Sequence, residues 1–367
     1  MKRREILAGL GAGAVAAGLS ACAPPGSSPG GATGGGGEVI RWKMVTTWPP
    51  GFPGLGTGAA NLAKLIGELS GGRLQIQVFG AGELVPAFEV FDAVSSGTAE
   101  MGHGAASYWK GKSEAAQFFA SVPFGMNAQE LAAWFFYGDG LSLWREVYEP
   151  FGLIPAPAGN TGVQMGGWFN KEINGLADLE GLKMRIPGLG GEVLRRAGGT
   201  PVNLPGGEIF TALQTGSIDA TEWVGPYNDL AFGLHQVARY YYYPGWHEPG
   251  TCLEAMFNAE AFAALPEDLQ SICTHACTVA TQSMLAEFTA RNQQALDTLV
   301  REHGVELRRF PDDVLARLKA LSDEMLDELA ASDPMVARVH ENQKAFRKGV
   351  SAWHKISEEA FYKARSL

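Results

Sequence analysis

The sequence predicts an α/β fold of two lobes that are bridged by a long helix. Helical and strand-like segments alternate from residue 38 to about 158, and a second alternation runs from 159 to 249. Such β-α-β order is typical of parallel sheets with flanking helices. The segment from Pro266 to about His303 has a helical pattern of unusual length, which predicts the bridging helix. The roughly 330 residues after the N-terminal region are enough for two such domains with full cores.

Residues 1–21 are predicted to be an export signal. A basic head at residues 2–4 precedes a Gly/Ala-rich apolar run at 6–21, which is shorter than the roughly 20 residues of a membrane-spanning helix. The adjacent arginines in the head favour the twin-arginine route. The letters LSAC at 19–22 are typical of a bacterial lipobox, which predicts lipidation of Cys22. An ordinary signal peptide with an incidental cysteine is the alternative.

Residues 22–37 consist almost only of Gly, Pro, Ser and Ala, which predicts a flexible tether. The signal carries three basic residues and one acidic residue, so its removal changes the net charge from -10 to -12. A chain of this acidity without a basic stripe is a poor candidate for binding nucleic acid. A small anionic ligand would therefore need a local cationic site.

The first lobe is predicted to comprise residues 38–158 together with about 250–310. The letters EVIRWKMVTTW predict a strand directly after the tether, and the next helix is expected to end at Gly71-Gly72. A strand follows at Leu74 to Phe79, and VFDAVSSGTAEMGHG repeats the order of helix, turn and strand.

The second lobe is predicted to comprise residues 159–249 and part of the C-terminal helices. Strands are expected in TGVQMGGWFN, GLKMRIP, TPVNL and DATEWV, with helices in GEVLRRAG and GEIFTALQTGS. The aromatic segment ARYYYYPGWHEPGTCLEAMFNAEAF is expected to be extended and to return to the first lobe. Open α/β sheets bind ligands beyond the carboxyl ends of their strands, so MRIP and DATEW mark a predicted interlobe cleft.

Two polar side chains in the second lobe are candidates for ligand binding. Arg185 ends a predicted strand, and its planar guanidinium suits a carboxylate. An ordinary surface or lobe-stabilising salt bridge is the alternative for this residue. Gln164 offers an amide among glycines that allow close backbone approach, although a strand glutamine is usually just exposed.

Glu222 and Glu248 are candidate ligands of a hard cation. Each lies beside an aromatic run, and two carboxylates with amide and backbone oxygens would suit Ca²⁺ or Na⁺. Two independent exposed glutamates are the alternative. Zinc is not expected, because the histidines have no metal spacing and no CxxC pair is present. The cysteines at 273 and 277 are most simply small core residues.

The motifs for an enzyme are weak. PGLGGEV resembles a dinucleotide-binding loop, but Val193 occupies the place of the third glycine. Neither GxSxG nor a P-loop is present, and His247 beside Glu248 has no evident nucleophile partner. An exported oxidoreductase or hydrolase is therefore the alternative function, and a ligand-sensing lipoprotein is another.

The chain resembles the solute-binding proteins of tripartite ATP-independent periplasmic (TRAP) transporters from Val39 to its C-terminus. The motifs that carry this resemblance are FGAGELVP, GNTGVQMGGWF, GLKMRIPG, GGEIFTALQTGSIDATEWVGPYND and YYYYPGWHEPG. The most similar subgroup binds 2-oxo acids or lactate with a metal ion. The resemblance implies a bilobed periplasmic-binding-protein-like fold, no enzyme activity, and TRAP membrane subunits as partners. The lipobox and tether depart from the family pattern and imply a membrane-anchored periplasmic form.

The resemblance also implies a role for each candidate residue. Arg185 would clamp the substrate carboxylate, and Gln164 would contact both ligand and cation. Glu222, the main-chain oxygen of Trp223 and Glu248 would complete the cation site, with Trp223 also at the substrate. Two glutamates, one ligand carboxylate and one arginine sum to -2, so the site needs a cation. Ca²⁺ would neutralise this charge and Na⁺ would leave -1, and either ion fits the resemblance.

The segment 335–367 is predicted to be an amphipathic C-terminal helix. Its apolar residues recur at roughly helical intervals and must be buried against something. Packing on its own lobe is one answer, and packing on a second copy is the other. The TRAP subgroup includes dimers that exchange a C-terminal helix, and Asp333-Pro334 would serve as a hinge. A homodimer with complete pockets in each chain is therefore expected.

Overall fold

The computed structural model describes residues 39–367. The predicted signal, tether and lipidated Cys22 lie outside the described residues. Eleven strands are present in this part of the chain: β1 Ile40–Thr46, β2 Leu74–Phe79, β3 Met101–Gly104, β4 Leu153–Asn160, β5 Gly167–Phe169, β6 Lys183–Arg185, β7 Thr200–Val202, β8 Ala220–Thr221, β9 Tyr240–Tyr243, β10 Cys252–Asn258 and β11 Glu306–Arg309.

Twelve α-helices accompany these strands within residues 39–367: α1 Gly56–Leu69, α2 Val90–Ser95, α3 Ala128–Tyr137, α4 Gly140–Tyr148, α5 Gly188–Arg196, α6 Gly206–Gln214, α7 Pro226–Phe232, α8 Ala259–Ala263, α9 Glu267–Arg301, α10 Asp312–Ser332, α11 Pro334–Ile356 and α12 Glu358–Arg365. None of them combines the length and apolar character that a membrane crossing requires. The 35 residues of α9 correspond to the predicted long helix.

The strands form two mixed sheets, which confirms the α/β class. The first sheet has the order β2-β1-β3-β10-β4, and the second has the order β11-β9-β5-β8-β6-β7. β10 comes from the returning segment and lies antiparallel between β3 and β4. The sheets are therefore not purely parallel as the helix–strand alternation suggested, because a strand that returns from the other lobe enters in the opposite direction.

Helix packing follows the apolar periodicity of the sequence. In α1 the buried positions include Ala59, Leu62, Ala63 and Ile66, which share one face at helical spacing. The cysteines at 252, 273 and 277 are all buried and free. The expectation that the pair on α9 consists of small core residues is thereby confirmed.

Three predicted elements differ from the observed ones. The strand expected in TGVQMGGWFN begins only at Gly167, where φ is 117° and an added Cβ would meet the Thr221 carbonyl at 2.5 Å. The strand expected in DATEWV ends at Thr221, and residues 222–225 form a loop. The single C-terminal helix is two helices, which meet at Ser357 with φ -105° and ψ -91°.

The lobe boundaries themselves remain a prediction, but one strand falls on the other side of the proposed division. Residues 306–309, assigned above to the first lobe, form β11, which pairs with β9 in the second sheet. Sequence periodicity did not indicate this short edge strand, since its letters ELRR have no alternating apolar pattern.

Candidate functional site

The five candidate residues from the second lobe line one small cavity. Gln164, Arg185, Glu222, Trp223 and Glu248 surround a volume of ≈20 Å³. Side chains of the first lobe close the opposite wall. A larger hollow of ≈520 Å³ lies beside β4 and contains none of the five, so volume alone does not locate the site.

Arg185 ends β6 and is 1% exposed. Its Nε donates to the Leu204 carbonyl at 3.1 Å, and Nη1 donates to the Glu222 carbonyl at 3.2 Å and to the Glu222 carboxylate. Its Nη2 has one longer contact, 3.4 Å to the Tyr108 hydroxyl. Arg185 therefore belongs to a buried ion pair inside the cavity rather than to a surface salt bridge.

Glu222 follows β8 and is also 1% exposed. One carboxylate oxygen is paired with Arg185, and the other lies 3.3 Å from Nε2 of His247. The alternative of an independent exposed glutamate is therefore wrong for this residue. A buried carboxylate is costly unless charge and hydrogen bonds compensate it, and the structure supplies both.

Glu248, Gln164 and Thr251 form a hydrogen-bonded cluster next to that ion pair. The Thr251 hydroxyl donates to Glu248 at 2.5 Å, and Gln164 Nε2 donates to the Thr251 hydroxyl at 3.1 Å. Burial, and then the nearby Glu222 carboxylate, raise the pKa of Glu248 to about 7. The Gln164 side chain is held by its nitrogen, so its oxygen Oε1 points to no protein donor within residues 39–367.

The oxygen-rich character of this cluster fits a hard cation. Carboxylates of Glu222 and Glu248, the free amide oxygen of Gln164 and the main-chain oxygen of Trp223 are the ligand types that Ca²⁺ and Na⁺ take. Among the described residues no three Asp, Glu, His or Cys side chains come together as a metal cluster. Any cation here would therefore depend on amide and main-chain oxygens as well as carboxylates.

Trp223 forms an apolar wall of the cavity. Its ring centroid lies 5.2 Å from the Arg185 guanidinium carbon, at a distance typical of a cation–π contact. The Trp48 ring meets it edge-on at 6.4 Å, and Phe232 does so at 5.0 Å. Trp48 and Trp223 line the cavity directly, whereas Phe232 contacts Trp223 without lining it, and the two indole rings restrict the cavity to a small ligand.

Sequence reasoning missed the contributions of Trp48 and Tyr108 from the first lobe. Tyr108 lies on a short 3₁₀ helix, Ala106–Trp109, directly after β3. Burial raises its pKa, so the hydroxyl stays protonated. The rule that ligands lie beyond the carboxyl ends of strands would have indicated this segment.

The sequence indicates His247 only as a candidate for acid–base chemistry. Instead it contacts Glu222, and its Nδ1 is buried without a partner among the described residues. The one side-chain hydrogen-bond partner of the imidazole within residues 39–367 is therefore the Glu222 carboxylate.

Comparisons with known proteins identify the family of the chain. Residues 44–333 match the bacterial extracellular solute-binding protein family 7. The chain is 43% identical over 361 residues to a monocarboxylate 2-oxoacid-binding periplasmic protein of Nostoc sp., covering 98% of each chain.

Two solved structures are similar over nearly the whole described region. A TRAP periplasmic solute-binding protein of Pseudoalteromonas atlantica, with bound sodium and pyruvate, has a TM-score of 0.87 and 46% identity, covering 89% of this chain and 99% of that one. A TRAP solute-binding protein of Bordetella bronchiseptica, a dimer with calcium and picolinate, has a TM-score of 0.88 and 38% identity, covering 90% and 100%. The chain is therefore a member of the bacterial extracellular solute-binding protein family 7.

Proposed function

We propose that this chain is the extracytoplasmic solute-binding subunit of a TRAP transporter. Its ligand would be a small 2-oxo acid such as pyruvate, or a 2-hydroxy acid such as lactate, bound together with Na⁺ or Ca²⁺. The observation that carries this proposal is the buried pair of Arg185 and Glu222 beside Glu248 and the unpartnered oxygen of Gln164. One small cavity thus contains a positively charged guanidinium, two carboxyl groups and an amide oxygen that accepts no hydrogen bond from the described residues.

Arg185 is the group that would receive the ligand carboxylate. Its Nε and Nη1 are occupied by Leu204 and Glu222, whereas Nη2 has two N–H groups and a single contact with Tyr108. Nη2 therefore retains donor capacity for a carboxylate. The cavity of ≈20 Å³ and its aromatic walls favour a ligand of few atoms.

Glu222, Glu248, Gln164 and the Trp223 main-chain oxygen would hold the cation. With both glutamates ionised, the charges of Arg185, Glu222 and Glu248 sum to -1, and a bound carboxylate makes this -2; because the pKa of Glu248 is raised to about 7, a bound cation would also favour its ionised form. The cation would supply the positive charge that allows the acidic groups and the ligand to lose water together. Gln164 supports this assignment, because its buried oxygen accepts no hydrogen bond from residues 39–367.

The ligands named for the similar structures share one chemical feature. Pyruvate has a keto oxygen on the carbon next to its carboxylate, and picolinate has a ring nitrogen in the same relation. Such neighbouring donors can meet a guanidinium and a cation at once. The proposed ligand class is therefore a carboxylate with a second donor atom on the adjacent carbon.

Titration calorimetry with a small ligand panel would test this proposal. Pyruvate, lactate and picolinate should bind in the presence of Na⁺ or Ca²⁺, whereas propionate, which lacks the second donor, should bind at least tenfold more weakly. Equal affinity for propionate and pyruvate would contradict the proposed ligand class. Pyruvate recovered unchanged after long incubation would support a binding protein over the oxidoreductase or hydrolase alternative.

Location and assembly belong to the same proposal. Family membership supports a periplasmic protein that delivers its ligand to TRAP membrane subunits, and the lipobox would anchor it through Cys22. A homodimer is supported by the dimer of the Bordetella bronchiseptica protein and by α11 and α12. Val336 and Val339 are buried against the chain's own core, whereas Trp353 and Ile356 are 61% and 72% exposed. The exposed half would provide the contact with a second copy.

A further inference from the structure

Asp229 is a buried carboxylate next to the cavity that the proposed binding mechanism does not use. It lies on α7, is 1% exposed, and does not line the cavity. Its Oδ2 accepts hydrogen bonds from Trp168 Nε1 at 2.9 Å and from the Tyr241 hydroxyl at 2.7 Å. Both donors belong to strands of the second sheet, so this oxygen is fixed by the core of the lobe.

The other oxygen of Asp229 holds the loop that carries the predicted cation ligands. Oδ1 accepts from the backbone N–H of Val224 at 3.3 Å and of Gly225 at 3.2 Å. These two residues directly follow Trp223. The Val224 carbonyl in turn accepts from the Met165 N–H at 3.0 Å, beside Gln164. One carboxylate therefore joins the sheet core to both backbone segments of the site.

We infer that Asp229 is a positioning residue for the cation and ligand site. It holds residues 222–225 so that the Glu222 carboxylate and the Trp223 main-chain oxygen keep their place in the cavity. An ionised carboxylate suits this role because it is acceptor-only and can take all four donors, whereas an amide cannot. The inference rests on the proposed function, since it assigns Asp229 an effect on ligand affinity.

Glu254 provides a matched comparison in the other sheet. It is also fully buried, and it accepts from Trp109 Nε1 and from the Tyr148 hydroxyl at 2.9 Å. Neither donor lines the cavity, and in the part of the chain that the structure describes no backbone N–H donates to this carboxylate. Trp109 follows Tyr108 in the chain, but within residues 39–367 Glu254 makes no bond to the backbone that carries the predicted cation ligands, and this bond is what distinguishes Asp229.

The experiment compares Asp229→Asn with Glu254→Gln. Each change preserves the shape of the side chain but puts an amide NH₂ next to N–H and O–H groups that donate to the wild-type carboxylate. Because donors then face donors, both variants should unfold at lower denaturant concentration than the wild type. Calorimetry with pyruvate and Na⁺ or Ca²⁺ would measure Kd and stoichiometry. We expect Asp229→Asn to raise Kd about 10- to 100-fold with stoichiometry near one, the scale of one charge-assisted hydrogen bond. Glu254→Gln should keep Kd within about twofold.

Stoichiometry separates positioning from a purely structural role. A purely structural loss would lower the fraction of competent protein and leave the Kd of the rest unchanged, and that result would overturn the inference. An equal rise of Kd in both variants would overturn it as well. If Asp229→Asn does not fold, Tyr241→Phe removes one donor to the carboxylate, and Tyr242→Phe on the same strand is its control. Tyr241→Phe should then raise Kd about threefold and Tyr242→Phe should not.

Hydrogen exchange tests Asp229 without any ligand. The amides of Val224 and Gly225 should lose protection in Asp229→Asn, or in Tyr241→Phe, and keep it in Glu254→Gln. Unchanged protection would overturn the positioning role whatever the protein binds. A wild-type protein that binds neither pyruvate nor picolinate with either cation would instead overturn the proposed function, while the exchange result still decides the role of Asp229.

Discussion

Replacing Arg185 by lysine tests the predicted carboxylate contact directly. The guanidinium donates to the Leu204 carbonyl, to the main-chain and carboxylate oxygens of Glu222, and to the Tyr108 hydroxyl. A lysine ammonium concentrates three donors on one atom. It can keep the ion pair with Glu222, but it cannot span the separate oxygens that the planar fork reaches.

The expected loss of ligand affinity corresponds to one charge-assisted hydrogen bond. In the wild type Nη2 can donate to the ligand carboxylate while Nη1 holds Glu222, whereas a single ammonium that keeps the ion pair with Glu222 loses that separate donor. A hydrogen bond to a charged group contributes about 1.5–3 kcal/mol, which corresponds to roughly 10- to 150-fold in Kd. The Leu204 carbonyl would lose its donor, which lowers folding stability by a further ~1–3 kcal/mol.

Titration calorimetry of Arg185→Lys with pyruvate, at saturating Na⁺ or Ca²⁺, would measure this loss. Arg239→Lys is the control, because Arg239 forms an exposed ion pair with Glu306 outside the cavity. It should leave Kd unchanged. If folded Arg185→Lys binds pyruvate with the affinity of the wild type, Arg185 does not hold the ligand carboxylate.

Four further outcomes are expected. Chelator treatment in sodium-free buffer should abolish pyruvate binding, and Ca²⁺ or Na⁺ should restore it; full affinity without metal would exclude the cation site. Cys22→Ser should release the protein from the membrane fraction, whereas an unacylated mature wild-type N-terminus in mass spectrometry would contradict lipidation. Replacing Trp353 and Ile356 together by serine should give a monomer in light scattering with pyruvate binding intact, while the exposed Val279→Ser should stay dimeric. Burial raises the pKa of Glu254 from 4.5 to about 7, so the folded state binds the carboxyl proton more tightly than the unfolded state does. Protonation of Glu254 therefore stabilises the fold at low pH, and this stabilisation is lost as pH rises through 7. The stability advantage of wild type over Glu254→Gln should therefore shrink by about 2–3 kcal/mol between pH 4.5 and 8 in denaturant titrations, and a constant difference would contradict that pKa.

The periodic elements of the fold were predictable because their signals are local. The strand Leu74–Phe79 has its predicted bounds, and α9 differs from its predicted span by about two residues at its C-terminal end. β11 and the break at Ser357 were not predictable in this way. Pairing with β9 stabilises β11, and its own four letters carry no alternation. Tertiary contacts determine such elements more than propensity does.

The candidate residues of the site came from strand-end chemistry and family motifs, and the structure brings all five into one cavity. The first-lobe wall was missed because Trp48 and Tyr108 carry no charge and have ordinary core character in the sequence. The strand-end rule indicates their segments, since Trp48 follows β1 and Tyr108 follows β3, but the side chains that face the second lobe depend on how the lobes close. The role of each site residue remains a prediction that the variants above can test.

The pairing of Arg185 with Glu222 combines a local signal in the sequence with a contact that depends on the tertiary structure. Each residue is recognisable at the end of a predicted strand, but their contact depends on the order of strands in the sheet. β6 and β8 are parallel neighbours with Arg185 opposite Thr221, so the two strand ends bring the guanidinium and the next carboxylate together. A buried ion pair seldom stabilises a fold more than apolar residues of the same volume would. Its presence with a second carboxylate and an unpartnered amide oxygen is therefore better explained by ligand binding than by folding.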